Sequence, residues 1–370
     1  MIFLSVKIVH CGDVHLGASG GEKRNSARRR AEIKQTFLRI VDFASENSAD
    51  LLLIAGDLFD SHKISADILA EISAKFSEFG GTVFISPGNH DYYGADTFWE
   101  KANFPSNVKI FKSPSEVVEL PQLGVKIFGS AFCGAFRYEH ILSSFSASED
   151  TINIAVIHGD MTPGSAHGPI DAAEIANSNM DYIALGHIHK RTEVSKAGGT
   201  YYAYCGCPEG QGFDETGAKG FYFGTVDKKS VNLEFIPVCM RQFIEETVDI
   251  SSAEQKFDVP DIILRKIDEK YGAEGFNWYY KITLTGETAL GINTAEVAAA
   301  LSGKLYFAKV KNKTKTPVSN LKSIAEENTV RGIFVKKMLE RYENDPSELN
   351  ETALRTGLAA FSEEVGFNED

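Results

Sequence analysis

The sequence predicts an α/β protein, an α+β sandwich of two facing mixed β-sheets flanked by helices, with a small α/β cap domain and a helical C-terminal tail. Three observations carry this expectation. Over the first 90 residues, short runs of β-branched and aromatic side chains alternate with helical apolar periodicity, the pattern of a largely parallel sheet buried on both faces. Beyond Asn107 strand-like runs follow one another closely, which predicts a second, mixed or antiparallel sheet facing the first. Five of the runs end in a short polar cluster, and the carboxyl ends of strands are where α/β folds bind ligands.

In chain order, a first strand over 6–9 leads into Asp13-Val14-His15. Ile33, Phe37, Ile40, Val41 and Ala44 then recur at helical spacing. A strand over 51–55 ends in Gly56-Asp57, and a helix follows on which Ile64, Ile68, Leu69, Ile72, Phe76 and Phe79 line one face. The run 83–85 stops at Pro87-Gly88, a turn signal that sets Asn89, His90 and Asp91 on its rim. Strands are expected over 108–111, 125–130, 152–157, 182–185, 200–204, 220–226 and 231–236, the third preceding His158-Gly159-Asp160 and the fourth Gly186-His187-Ile188-His189. The glycine-rich stretch 206–217 is too irregular for a phosphate-binding Walker sequence and reads as a structured surface connection. These elements make a first domain over 1–240.

A second texture covers 241–312: a strand over 243–250, a helix opened by Pro260-Asp261, an alternating strand over 278–284, a helix with a capping box at Asn293-Thr294-Ala295-Glu296 and a stop at Gly303, and a strand over 305–310. Lys309, Lys311, Lys313 and Lys315 alternate through a linker over 309–317 and read as a solvated edge. The tail, 313–370, carries an apolar stripe of Leu321, Ile324, Ile333, Phe334 and Leu339, suited either to its own domain or to a partner.

The 370 residues leave room for two or three domains, and 43% hydrophobic with 24% charged residues is ordinary for a globular chain. No stretch approaches the ~20 apolar residues of a membrane span, and no signal peptide is read at the start. Five cysteines, odd in number and irregularly spaced, argue against a disulfide framework and for a reducing cytoplasm. Cys205-Gly206-Cys207 lacks the second ligand pair of a soft-metal site. The net charge of -13 argues against a generic polyanion binder. Two divalent cations held by two carboxylates would reverse that sign locally, to about +2.

The residue types suit such cations. Asp13 and His15, two apart on an extended segment, face one side; His187 and His189 repeat the spacing. Asp57 offers two oxygens for bridging, Asn89 a neutral carbonyl oxygen, and His158 a further nitrogen. A mixed imidazole and carboxylate set favours manganese, iron or zinc over magnesium or calcium. Two metals about 3.5 to 4 Å apart activate a hydroxide and clamp phosphoryl oxygens, the requirements of phosphate-ester hydrolysis. Of nine histidines, five (His15, His90, His158, His187 and His189) fall in clusters that follow strands, whereas His10, His62, His140 and His167 lack that support. Among these four, His62 is near enough in sequence to touch a substrate.

The series Asp13-Val14-His15, Gly56-Asp57, Gly88-Asn89-His90-Asp91, His158-Gly159-Asp160 and Gly186-His187-Ile188-His189 resembles the full signature of the calcineurin-like metallophosphoesterases. The resemblance implies the metallophosphoesterase fold, with Asp13, His15, Asp57 and His189 on one ion and Asp57, Asn89, His158 and His187 on the other. His90 would be the catalytic acid that protonates the leaving oxygen, and Asp60, three residues after Asp57, would orient it. The stretches 10–17 and 53–60 are most similar to SbcD-type DNA repair exonucleases, and residues 206–215 with 329–339 resemble the YhaO-like branch. That likeness implies a manganese-dependent nuclease acting on DNA beside an SMC-like ATPase of the SbcC or YhaN kind, often as a homodimer. In the phosphomonoesterase branch an arginine directly follows the orienting aspartate; Ser61 and His62 stand here, which favours a diester. The basic run Lys23-Arg24 with Arg28-Arg29-Arg30 would grip a nucleic-acid backbone or serve as a solvated helix start. The alternatives are a phosphatase or small-nucleotide phosphodiesterase, and a non-catalytic regulatory subunit that docks the ATPase.

Overall fold

Strands whose every residue is apolar, such as Leu51–Ile54 (β2), can be satisfied only between two layers, and that is where the chain puts them. The computed structural model describes residues 5–18 and 26–361, which divide into two compact units between Gln242 and Phe243.

The first unit opens with Val6–Cys11 (β1), the helix Ser26–Glu46 (α1), β2, the helix Ala66–Glu78 (α2), Thr82–Ile85 (β3), the short helix Phe98–Lys101 (α3) and Val108–Ile110 (β4). β1 to β4 pair in parallel. Gly220–Asp227 (β11) and Ser230–Pro237 (β12) return to complete this sheet antiparallel, in the order β12-β11-β1-β2-β3-β4.

The second sheet is built from Glu116–Leu120 (β5), Val125–Ser130 (β6), Ile152–His158 (β7), Tyr182–Gly186 (β8), Ser195–Ala197 (β9) and Thr200–Tyr204 (β10), with Ala172–Asn177 (α4) between β7 and β8. Its order is β5-β6-β7-β8-β10-β9, parallel from β6 to β10 with antiparallel edges.

Period-two alternation assigns the faces. Leu51 and Leu53 meet Ile154, Val156, Tyr182 and Ala184 of the second sheet in a shared core. Leu52 and Ile54 turn the other way, onto Ile33, Phe37, Ile40 and Val41 of α1 and Ile72 and Phe76 of α2. On the far face of the second sheet, Ile157, Ile183 and Leu185 pack with Ile141, Ile170 and Ile175.

Three strands expected in the second sheet therefore lie in the first: 108–110, 220–227 and 230–237. Apolar alternation reports that a strand is half-buried, not which neighbour it will find. β5 and β9 were not anticipated; both are short edge strands with exposed residues, and their sequences carry little pattern.

The second unit holds a three-stranded, wholly parallel sheet of Phe243–Asp249 (β13), Tyr279–Thr285 (β14) and Phe307–Asn312 (β15). The helices Asp258–Gly275 (α5) and Thr294–Leu301 (α6) cover it through Val259, Ile263, Ile267, Val297 and Leu301. Asn293 caps α6 as expected, its side chain accepting from Ala295 and Glu296. Lys309 and Lys311 belong to β15, an edge strand, so the linker begins later than its composition suggests.

The helices Val318–Ala325 (α7), Val330–Asn344 (α8) and Glu348–Ala359 (α9) enclose a small core of Leu321, Val335, Leu339 and Leu354. Phe334 and Ile324 pack on that core, but Ile333 points outward at 55% exposure. No helix among the described residues is long and apolar enough to cross a membrane.

Candidate metal centre

The polar clusters converge where the carboxyl ends of β1, β2, β3, β7 and β8 meet. Asp13 and His15 follow β1, Asp57 follows β2, and Asn89 and His90 follow β3. From the other sheet come His158, the last residue of β7, and His187 and His189, just past β8.

The seven candidate ligands fall into two overlapping groups. In one, His15 Nε2 lies 3.1 Å from His189 Nε2, with Asp13 close to both. In the other, His158 Nε2 lies 2.9 Å from Asn89 Oδ1 and 3.3 Å from His187 Nδ1. Between them stands Asp57, whose Oδ2 is 3.4 Å from His158 Nε2 and 3.7 Å from His15 Nε2. Donor atoms bound to one ion at ~2 Å sit about 3 Å apart, so these spacings suit two ions sharing the Asp57 carboxylate.

The outer nitrogens of the imidazoles give an independent test of fit. A metal-binding histidine usually has its second ring nitrogen engaged by an oxygen, which fixes the tautomer and aims the free lone pair. His158 Nδ1 donates to the Ala55 carbonyl at 3.0 Å. His189 Nδ1 is bonded to the Glu215 carboxylate. His15 Nδ1 is 3.2 Å from Asp60 Oδ1, and His187 Nε2 is 3.7 Å from Asp160 Oδ2. His158 and His189 are thus held from outside by hydrogen bonds, His15 and His187 face carboxylates on that side, and all four turn the other nitrogen toward the centre, so the residues fit a pair of divalent ions.

Electrostatics follow from crowding these groups into a buried space. Burial, aided by the nearby His158, lowers the pKa of His187 to about 4, so its ring is neutral and its lone pair free. Burial opposes charge on His15 too, but Asp60, Asp57 and Asp13 outweigh it and raise its pKa to about 9. Burial also works to raise Asp57, yet the charges of His158 and His15 hold it below the usual carboxylate range. Cations at the centre would replace the protons that now balance these carboxylates.

The backbone is bent to make this possible. Asp13, His15, Asp57 and His187 all have positive φ, four of the eight such non-glycine residues among those described, a concentration typical of functional sites. Gly56 (φ +89) lies against the His158 ring, which a Cβ there would overlap. At Gly88 a Cβ would collide with Asp57 Oδ1, so the turn can close over the bridging carboxylate only without a side chain. Asp91, fully buried, accepts from Gly88 N at 2.7 Å and Phe59 N at 3.1 Å, tying the two loops together. Burial and the Asp57 charge push its carboxyl up to about 7.

His90 sits at the rim, its ring edge-on to His15 at 4.8 Å and its backbone N–H donating to Asp57 Oδ1 at 2.9 Å. Its Nδ1 donates to the Asp60 carbonyl at 3.1 Å, which leaves Nε2 outside this contact. The expected partner was the Asp60 carboxylate. That carboxylate lies 4.0 Å away and leans toward His15, and the Asp60 main-chain oxygen is the nearer acceptor for His90.

His62 packs edge-on against Tyr92 at 4.3 Å and beside Phe98 at 5.9 Å. Both its ring nitrogens are shielded from solvent, so in this arrangement they are not offered to a substrate. Arg29 is also buried, paired with Glu32 at 2.8 Å and Glu209 at 2.9 Å, and Arg28 pairs with Glu32 at 3.2 Å; neither reading of the basic run fits Arg29. Lys23 and Arg24 lie outside the described residues.

Three contributors were not anticipated. Glu215 and Glu209 come from the glycine-rich stretch, which is no plain surface connection: residues 205–210 are buried. Glu209 accepts from Thr36 Oγ1 at 2.7 Å and from Met240 N at 2.7 Å, fastening the loop to α1. Burial and the Glu215 charge keep the Cys207 thiol well above its ordinary range, so it serves as a donor to Glu215, 3.5 Å away, and the five cysteines stand as free thiols. The third is His167, whose ring stacks on His187 at 5.0 Å. The acidic Glu209 and Glu215 within a glycine-rich loop were the available signal.

A two-sheet sandwich with paired ion-binding groups at one rim defines a binuclear phosphoesterase. The profile of the family described as Calcineurin-like phosphoesterase matches residues 6–191, half of the chain, and the protein belongs to that family. The chain is 30% identical over 243 residues to an uncharacterized metallophosphoesterase, YhaO, of Bacillus subtilis, a match covering 61% of this chain and 59% of that protein. It thus spans about three fifths of that relative's length. It is 24% identical over 355 residues to the DNA double-strand break repair protein Mre11 of Saccharolobus solfataricus, across 91% of each chain. The Haloferax volcanii Mre11 matches at 24% over 276 residues, 70% of this chain and 60% of that one.

Proposed function

We propose that this metallophosphoesterase is a nuclease: a two-metal phosphodiesterase that cleaves DNA in repair, as an exonuclease or endonuclease of the SbcD type. The observation that carries the reading is His90 lying beside a site where the seven candidate ligands come together. Likeness to the Mre11 proteins across 91% of the chain supports DNA as the substrate. Manganese is the proposed metal, an SMC-like ATPase the proposed partner, and a homodimer the proposed assembly.

Two divalent ions bound here would acidify a water nucleophile and neutralise charge on the phosphoryl oxygens. The chain's own residues do the rest. Asp57 spans the two groups and, through the His90 N–H, is linked to the acid. His90 Nε2, with Nδ1 held by the Asp60 carbonyl, is aimed to hand its proton to the departing oxygen. Asp60 keeps His15 in place from behind. The two positions directly after Asp60 supply no cation for the second charge of a monoester, since Ser61 is exposed and uncharged and His62 faces aromatic rings.

The test compares linear DNA, a diester chromophore and a monoester chromophore with purified protein and manganese. Turnover of the first two, poor turnover of the monoester and loss of activity in chelator are expected. Preference for the monoester would give the site to a phosphatase, and no hydrolysis with metals bound would leave only a docking subunit. Co-elution with an SMC-like ATPase tests the partner.

A further inference from the structure

Rings continue outward from the metal centre. His158 and His187 lie edge-on at 5.1 Å, His187 stacks on His167 at 5.0 Å and 26°, and His167 lies against Phe136 at 5.6 Å. At the outer end Phe136 is 62% exposed and Tyr138, two residues on, 69% exposed. A single exposed apolar side chain is ordinary, but two bare aromatic rings two residues apart, at the end of a run of rings that starts at the site, form a patch.

Nor is this a loose loop. Arg137, between the two rings, is 9% exposed, its guanidinium bonded to Ser130 Oγ and donating to the Pro114 carbonyl at 3.2 Å. Its backbone is clamped on both sides: Arg137 N donates to the Ala166 carbonyl and Gly168 N to the Arg137 carbonyl, each at 2.8 Å. Asp160 N donates to the Gly168 carbonyl at 3.0 Å, so the clamp is continuous with the segment that leaves His158. In an extended segment neighbours point to opposite sides; with Arg137 pinned inward, Phe136 and Tyr138 are both driven outward.

We infer that Phe136 and Tyr138 form a rigid stacking ledge for an unpaired nucleobase next to the scissile phosphodiester. This rests on the nuclease reading and adds the form of the substrate: a single-stranded or frayed nucleic-acid end. A nucleobase is the flat π-surface that lies one sugar away from a phosphate held at the metals. Stacking is sequence-tolerant and does not need surface cations, which suits a chain of net charge -13. The base must be out of the duplex for its face to reach a ring.

The test measures kcat/KM for a short oligonucleotide and for the same strand made abasic on both sides of the cleaved bond. The wild-type ratio is expected to be about tenfold in favour of the base, the size of one aromatic stack. It should fall toward one in the Phe136→Ala, Tyr138→Ala double variant and persist in Phe136→Trp. In parallel, 2-aminopurine beside a non-cleavable methylene phosphonate link should be quenched on binding wild type and much less by the double variant. A wild-type ratio near one, or a ratio and quenching unchanged in the double variant, overturns the ledge while leaving the nuclease reading intact. Hydrolysis of a simple diester with no cleavage of either strand overturns the nuclease reading, and the ledge with it.

Discussion

His189 and Glu215 form a carboxylate-histidine pair: Nδ1 of the ring is bonded to the carboxylate, so Nε2 faces His15 Nε2, 3.1 Å away. Burial would raise the pKa of Glu215, but the His189 hydrogen bond prevails and holds it at about 2, so the partner stays ionised. Gln211 N also donates to this carboxylate, at 2.6 Å.

Removing that support should loosen the ion held by His15 and His189. Glu215→Ala is expected to weaken manganese binding at one of two sites by about 10- to 100-fold, read by titration calorimetry. Glu215→Gln, which can still accept from Nδ1, should lose less. Unchanged affinity in the alanine variant would make the pair merely structural.

His90 should separate chemistry from metal binding. With His90→Ala, turnover is expected to fall by roughly 10²- to 10⁴-fold, while elemental analysis still finds two ions per chain. Loss of an ion would place His90 among the ligands instead.

Gly56 probes the geometry of the centre. A methyl group there meets the His158 ring on a backbone with φ +89. Gly56→Ala should therefore lose ion binding together with about 1 to 3 kcal/mol of stability, seen in a urea melt. Retention of both would mean that β2 and β7 shift apart at little cost.

Glu32 sets a pH dependence remote from the metals. Burial tends to raise its pKa, but hydrogen bonds from Arg29 and Arg241 hold it below its ordinary 4.5. With the folded value depressed, the stabilisation is present above pH 4.5 and disappears as pH falls through the folded value. Below pH 4.5 the melting temperature should fall less steeply in Glu32→Gln than in the wild type, though the variant starts lower. Parallel slopes would show that the pair contributes nothing to acid unfolding.

The centre was legible because parallel strands buried on both faces end abruptly, and polar residues such as Asp57 after Ile54 stand out against them. The same burial made α1 readable from Ile33, Phe37 and Ile40. What sequence could not reveal was partnership across long separations. Glu215 meets His189 only because 206–217 folds inward, and β11 meets β1 only because the chain comes back after two hundred residues. Nor could residue type show that Asp60 would use its main-chain oxygen toward His90 and its carboxylate toward His15.

Asp13, Asp57 and Asn89 hang from one sheet, and His158, His187 and His189 from the other. Ions shared among them would rivet the sandwich along its open seam. Demetallated protein should then gape at this seam first, with amide exchange quickening at the tips of β2 and β7 before either sheet comes apart.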